Sequence, residues 1–174
     1  MPDTLEKPPV AAGYDEDFFL WTQSQAEALR AAGRAGVNAS IDWENVAEEI
    51  ESLGSEQRNK VESLVYQLLL HLFYLTACPR PEPRNGWKRE IRTWRRDLER
   101  VLRKNPTLRA QFPSIVEEDW EKALSDAAED LKDSGEDDQA HPILVGLRIR
   151  GPRAAEVLKD KYYPEYGSPE YGDL

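Results

Sequence analysis

The stretch Val61-Glu62-Ser63-Leu64-Val65-Tyr66-Gln67-Leu68-Leu69-Leu70-His71-Leu72-Phe73-Tyr74-Leu75-Thr76-Ala77 decides the fold. Val61, Leu64, Val65, Leu68, Leu72, Leu75 and Thr76 recur at helical spacing, and Leu69, Leu70, Phe73 and Tyr74 widen that stripe almost to a full circle. A helix that is apolar nearly all round is covered by neighbours on every side. The segment therefore predicts the central helix of a bundle, opening at Ser55 and closing near Ala77, just before Pro79.

Working outward, the hydrophobic period stays close to 3.6 from residue 15 to residue 133. A first helix is expected from about Asp15 to Ala32, with Phe18, Trp21, Gln25, Ala28 and Leu29 as its stripe and Gly33 as its stop. A second runs from Asp42 to Gly54, with Trp43, Val46, Ile50 and Leu53 on one face and Gly54 as the terminating glycine. Past the central helix, Pro79 to Asn85 reads as a rigid linker and Gly86 to Lys104 as a fourth helix facing inward with Trp87, Ile91, Trp94, Leu98, Val101 and Leu102. Thr107 to Phe112 is expected to make one helical turn. A fifth helix then opens at Pro113-Ser114 and carries Ile115, Val116, Trp120, Ala123, Leu124, Ala127 and Leu131. The fold class is all-α: a single-domain bundle of about five helices spanning 14–133, with an irregular C-terminal extension at 134–174. Within the extension, Ile143 to Ile149 reads as an extended segment, Pro152 to Lys161 as a short helix, and Tyr162 to Leu174 as a Tyr/Pro-rich tail.

Composition narrows the function classes. The 174 residues carry a net charge of −10, so the whole molecule presents no general attraction to nucleic acid or to an anionic membrane. A lone cysteine, Cys78, excludes an internal disulfide and a multi-cysteine zinc site, and it suits a reducing compartment. The apolar run Leu64 to Cys78 contains Gln67 and His71 and is shorter than the ~20 residues of a membrane span. With no basic start followed by an apolar run at its N-terminus, the chain is expected to be cytoplasmic.

Charge is unevenly distributed. Between Pro79 and Arg109 there are eleven Lys/Arg against four Asp/Glu, and between Glu117 and Asp138 eleven Asp/Glu against two Lys. On the fourth helix Lys88, Arg89, Arg92, Arg95, Arg96, Arg100 and Arg103 form one arc beside the Trp stripe. Arginines at helical spacing can track a phosphate backbone, which makes Arg89, Arg92, Arg96, Arg100 and Arg103 candidate nucleic-acid contacts. Against this stand the net charge and the inward-facing Trp87 and Trp94; ion pairs or plain solvation account for such an arc equally well.

His71, Glu49 and Glu51 are the other candidate constellation, because acid–base or metal chemistry needs an imidazole and carboxylates converging where water is limited. The sequence contains neither a His-Glu-x-x-His nor a Glu-x-x-His arrangement, and a core histidine held by one acceptor explains His71 as well. No metal or other cofactor is called for, and no Gly-rich phosphate loop or serine elbow occurs. Glu49 and Arg95 border the stripes of their helices, and a buried structural ion pair between them is expected.

Several blocks carry a family likeness: Tyr14-Asp15-Glu16-Asp17-Phe18 with Trp21, then Asp42-Trp43-Glu44-Asn45-Val46-Ala47-Glu48-Glu49-Ile50-Glu51-Ser52-Leu53-Gly54, His71-Leu72, Trp87 with Ile91 and Arg95, and Asn105-Pro106-Thr107-Leu108. Together they resemble the bacterial domain of unknown function 29 family over residues 14–133, and Lys161-Tyr162-Tyr163-Pro164 resembles its closing element. The resemblance implies an all-α, cytoplasmic, bacterial protein. It implies no activity and no functional residues. The leading expectation is a non-enzymatic protein-interaction module that meets a protein partner or a second copy of itself. The alternatives are nucleic-acid binding through the fourth helix and a metal-dependent enzyme centred on His71 and Glu49.

Overall fold

The computed structural model describes residues 12–36 and 40–167, and within them every regular element is an α-helix. In chain order these are α1 (Phe18–Arg34), α2 (Trp43–Ala77), α3 (Arg84–Lys104), α4 (Pro106–Asp133), α5 (Asp137–Arg150) and α6 (Ala154–Leu158). No helix among the described residues is long and apolar enough to cross a membrane. The chain divides into two compact units, one comprising the chain up to Asn59 with Val101–Arg109, the other Lys60–Arg100 with the chain from Ala110 onward.

The expected central helix is present, and it is longer than expected. Gly54 does not end the second helix, and Ser55 does not begin a third; α2 runs unbroken for 35 residues. The reason is packing. A Cβ on Gly54 would lie 2.1 Å from Thr22 Oγ1 and 3.6 Å from a Phe19 ring carbon, so this glycine is where α1 and α2 approach closely. The buried residues in this part of α2 are Ala47 and Gly54, whereas Val46 and Leu53 are exposed. At 100° per residue, the buried face is turned by roughly 60° from the stripe of large apolar residues. Gly33 likewise lies within α1, and the helix closes one residue beyond Arg34, before Gly36 at φ +66°.

The second unit holds most of the core. Val61, Val65, Leu68, Leu69, Leu72, Phe73 and Leu75 of α2 are buried with Ile91 and Leu98 of α3 and Ile115, Val116, Trp120, Leu124 and Leu131 of α4. Phe73 and Trp120 meet edge to face at 4.9 Å. The turn expected at Thr107 to Phe112 and the fifth helix expected from Pro113 are a single helix, α4, with Pro106 at its first position and Pro113 inside. Pro113 is exposed, so its missing N–H falls on the solvated side.

Residues 143–149 are not extended. They form the second half of α5, which buries Ala140, Leu144 and Leu147 at spacings of four and three. Asp137 and Asp138 in its first turn and Arg148 and Arg150 in its last complement the helix dipole, and Gly151 at φ +74° ends it. These terms outweigh the strand preference of Ile143, Val145 and Ile149. The tail expected from Tyr162 is described as far as Gly167, whose N–H donates to the Thr76 carbonyl at 3.0 Å; its last seven positions lie outside the described residues.

Candidate functional site

His71 sits on α2 with its side chain only 13% exposed. Its Nε2 lies 3.0 Å from Glu90 on α3, and its Nδ1 lies 3.1 Å from the Gln67 carbonyl one turn back. Three aromatic rings surround the imidazole edge to face: Trp94 at 4.6 Å, Tyr74 at 5.5 Å and Trp87 at 6.5 Å. A neutral imidazole has one N–H and can serve one of the two acceptors at a time, whereas the charged ring serves both. Burial nevertheless dominates and pushes His71 below its ordinary value, with the Glu90 carboxylate pulling the other way.

The carboxylate facing His71 is thus Glu90. Glu90 lies about 70° from the centre of the Trp87–Ile91–Trp94–Leu98 stripe, a border position legible in the sequence once α3 is known to pack beside His71. Glu49 is exposed on α2, and Glu51 accepts an ion pair from Arg30 at 2.8 Å, alongside Glu44 at 2.9 Å. These bonds raise the Arg30 guanidinium above its usual range, the one to Glu51 most strongly.

The side chain of Arg95 is buried, and its three guanidinium nitrogens donate to main-chain carbonyls of Val157 at 2.8 Å, Tyr162 at 2.9 Å and Glu156 at 3.2 Å. Carbonyls at and beyond the end of α6 match the planar fork of an arginine; an ion pair with Glu49 is the expectation from the sequence alone. Arg84 repeats the device, donating to Leu75 at 2.7 Å and to Pro164 at 3.1 Å. The guanidinium of Arg95 also lies 5.6 Å from the Tyr163 ring centroid.

The remaining arginines of the arc stand at the surface. Arg89, Arg92, Arg96, Arg100 and Arg103 are all exposed. Arg100 pairs with Asp97 at 3.4 Å, and Arg96 donates to Thr93 at 3.4 Å. Arg89, Arg92, Thr93 and Arg96 line a hollow of about 410 Å³ together with Asp160.

Two further clusters went unread in the sequence. Tyr66 donates to Asp126 at 2.6 Å and Tyr74 donates to Asp130. The Asp126 carboxylate pushes the Tyr66 phenol up to about 12, and burial with Asp130 pushes Tyr74 higher still. Cys78 is buried and donates to Glu136, which also pairs with Arg80; burial, with that bond, pushes the thiol up and away from reactivity. No group of three or more His, Cys, Asp or Glu among the described residues is arranged to hold a metal ion.

The model for the domain of unknown function DUF29 matches residues 14–142. This chain belongs to that family. The DUF29 chain is also similar to a crystallised alpha-helical protein of unknown function from Rhodospirillum rubrum, with 28% identity, a TM-score of 0.67, and coverage of 86% of this chain and 90% of that one. No curated protein matches it. The family span takes in α1 to α4, with the His71 cage and the arginine hollow's helix, and ends within α5.

Proposed function

We propose that this DUF29 chain is a non-enzymatic protein-interaction module whose contact face lies on the N-terminal part of α2. The observation that carries the reading is the exposure of Val46 at 39% and Leu53 at 43%, two large apolar residues seven positions apart with half-buried Ile50 between them. That spacing makes one stripe on the helix. Ile41, just before α2, is 46% exposed as well. A contiguous apolar stripe left in water marks a contact surface more often than a lone apolar residue does.

Charge complementarity says what kind of partner fits. The segment from Asp42 to Glu56 holds six acids and no base. Glu44 and Glu51 are taken by Arg30, while Glu48, Glu49 and Glu56 are exposed beside the stripe. The matching surface is an amphipathic helix with Leu or Ile on one face and Lys or Arg flanking it. His71 supports the non-enzymatic side, since its imidazole is enclosed by Trp94, Tyr74 and Trp87 and faces only the Gln67 carbonyl and Glu90 among its polar neighbours.

Fluorescence anisotropy with a labelled amphipathic Leu/Lys peptide tests the reading against a scrambled peptide of the same composition. The amphipathic peptide is expected to bind more tightly, and Val46→Asp with Leu53→Asp to abolish the difference. Equal binding of the two peptides would sink the proposal. A dimer in light scattering, lost in the same double variant, would instead give the face to a second copy of the chain.

A further inference from the structure

We infer that the hollow beside α3 is a binding site for a small phosphate monoester bearing hydroxyl groups, its phosphate on Arg89, Arg92 and Arg96 and a hydroxyl on Asp160. Arg89, Arg92 and Arg96 stand three and four residues apart, so their side chains share one face of α3. With Thr93 and Asp160 they line a space of about 410 Å³, in the range of small-ligand sites at ~300–1,000 Å³. Among the described residues, neither Arg89 nor Arg92 has an ion-pair or hydrogen-bond partner for its guanidinium. Three like charges on one face repel one another, and an anion between them removes that cost.

The chemistry of the lining selects the ligand. Guanidinium forks match phosphate oxygens in pairs, and Thr93 Oγ1 adds a hydroxyl at the same turn while donating to the Arg89 carbonyl at 3.2 Å. Asp160, which follows α6, brings a single carboxylate to the same hollow without ion-pairing to the arginines. A carboxylate repels a second anionic group but accepts hydrogen bonds from hydroxyls. The site therefore fits a molecule with its negative charge at one end and hydroxyls at the other.

A nucleic-acid strand fits less well. Its phosphates continue past any one hollow, over a molecule of net charge −10, and no aromatic side chain lines this space to stack a base. The Arg95 clamp on Val157 and Tyr162 fixes the backbone on both sides of Asp160, so the carboxylate is held at the rim rather than carried on a free tail.

The test is NMR titration of the full chain with ribose 5-phosphate, with inorganic phosphate, and with a single-stranded oligonucleotide, at low salt. Ribose 5-phosphate is expected to saturate, to shift amides of α3 near Thr93, and to bind more tightly than inorganic phosphate. Arg92→Gln and Arg89→Gln should each weaken it about ten-fold, the scale of one charge-assisted bond of ~1.4 kcal/mol. Asp160→Ala should weaken ribose 5-phosphate yet strengthen inorganic phosphate, a crossover that plain anion attraction does not produce. Unchanged helical circular dichroism in these surface variants separates lost binding from lost folding. Failure of ribose 5-phosphate to saturate overturns the inference. So does strengthening of both ligands by Asp160→Ala, or an oligonucleotide that binds independently of Arg89 and Arg92.

Discussion

Asp17 and Asn105, 88 residues apart in sequence, each cap the other's helix. Asp17 caps α1 through Leu20 N–H at 3.0 Å, and its second oxygen accepts from Thr107 N–H at 2.6 Å in the first turn of α4. Asn105, immediately before α4, accepts from Phe19 N–H at 2.9 Å in the first turn of α1 and donates to the Val101 carbonyl at 2.8 Å. Both side chains are buried, at 4% and 2% exposure. Helix starts leave N–H groups without intrahelical partners, and in this unit two starts are satisfied by two side chains.

Asp17→Ala and Asn105→Ala are each expected to cost about 2 kcal/mol in urea unfolding, since each strands buried N–H groups. The double variant should cost clearly less than the sum of the two, because the second removal acts on a junction already broken. Strict additivity would show that the two caps work independently.

Gly54→Ala is expected to destabilise the chain by ~1–3 kcal/mol, the scale of overpacking, although Ala is ordinarily the better helix residue by about 1 kcal/mol. The new methyl would collide with Thr22 Oγ1. Gly86 of α3 is the control, because a Cβ there meets nothing within 4 Å. Gly86→Ala should leave the melting temperature unchanged or raise it. If both variants were stabilising, close approach would not be the reason for Gly54.

The fold class was legible because the run from Val61 to Ala77 has no apolar-poor face. What the sequence concealed has two physical causes. Glycine ordinarily ends a helix, yet Gly33 and Gly54 lie within helices, facing Trp43 and Thr22. Large apolar side chains ordinarily mark the buried face of a helix, yet on α2 close contact with α1 selects the small Ala47 and Gly54 and leaves Val46 and Leu53 outside. Residues 143–149 read as extended because Ile143, Val145 and Ile149 are β-branched, while the period of Ala140, Leu144 and Leu147 gives the helix. Partners across helices were the least legible. The wheel position of His71 indicates partial burial, but the carboxylate beside it, Glu90, comes from α3, and Arg95 finds carbonyls that no side-chain pattern announces.

His71 gives a pH dependence with a definite sign. Its folded-state pKa lies below the ordinary 6.5, so between the two values the unfolded chain binds more protons. The stability carried by the neutral ring is complete above pH 6.5 and is lost as pH falls through the folded value. Histidine NMR should place the His71 midpoint below 6.5, and Glu90→Gln should lower it further by removing the carboxylate that favours the charged ring. A midpoint above 6.5 would show that the ion pair, rather than burial, governs this site.

Tyr66 works in the opposite sense. Its phenol is raised from 10.0 to about 12, chiefly by its hydrogen bond to Asp126, so its contribution is complete below pH 10 and is lost as pH rises through about 12. Asp126→Asn should bring this tyrosine back toward the ordinary range, read as tyrosinate absorbance in an alkaline titration. An unchanged titration curve in that variant would remove Asp126 as the cause.

Arg95 holds the end of the described chain in place, and its replacement is expected to release that segment before it unfolds the bundle. Lysine keeps the charge but has no planar fork, so Arg95→Lys cannot reach the carbonyls of Val157, Glu156 and Tyr162 together. Losing two of three charge-assisted bonds in a buried place should cost on the order of 3 kcal/mol. Because these acceptors all lie between Glu156 and Tyr162, the loss should appear first as faster amide hydrogen exchange across 156–162, with the Gly167 N–H to Thr76 bond kept. Arg84, which holds Pro164, should keep part of the segment in place, so Arg84→Lys with Arg95→Lys should extend rapid exchange to all of it. Exchange that speeds up uniformly along α2, α3 and the C-terminal segment in Arg95→Lys would mean that the clamp is part of the global core rather than a local fastening.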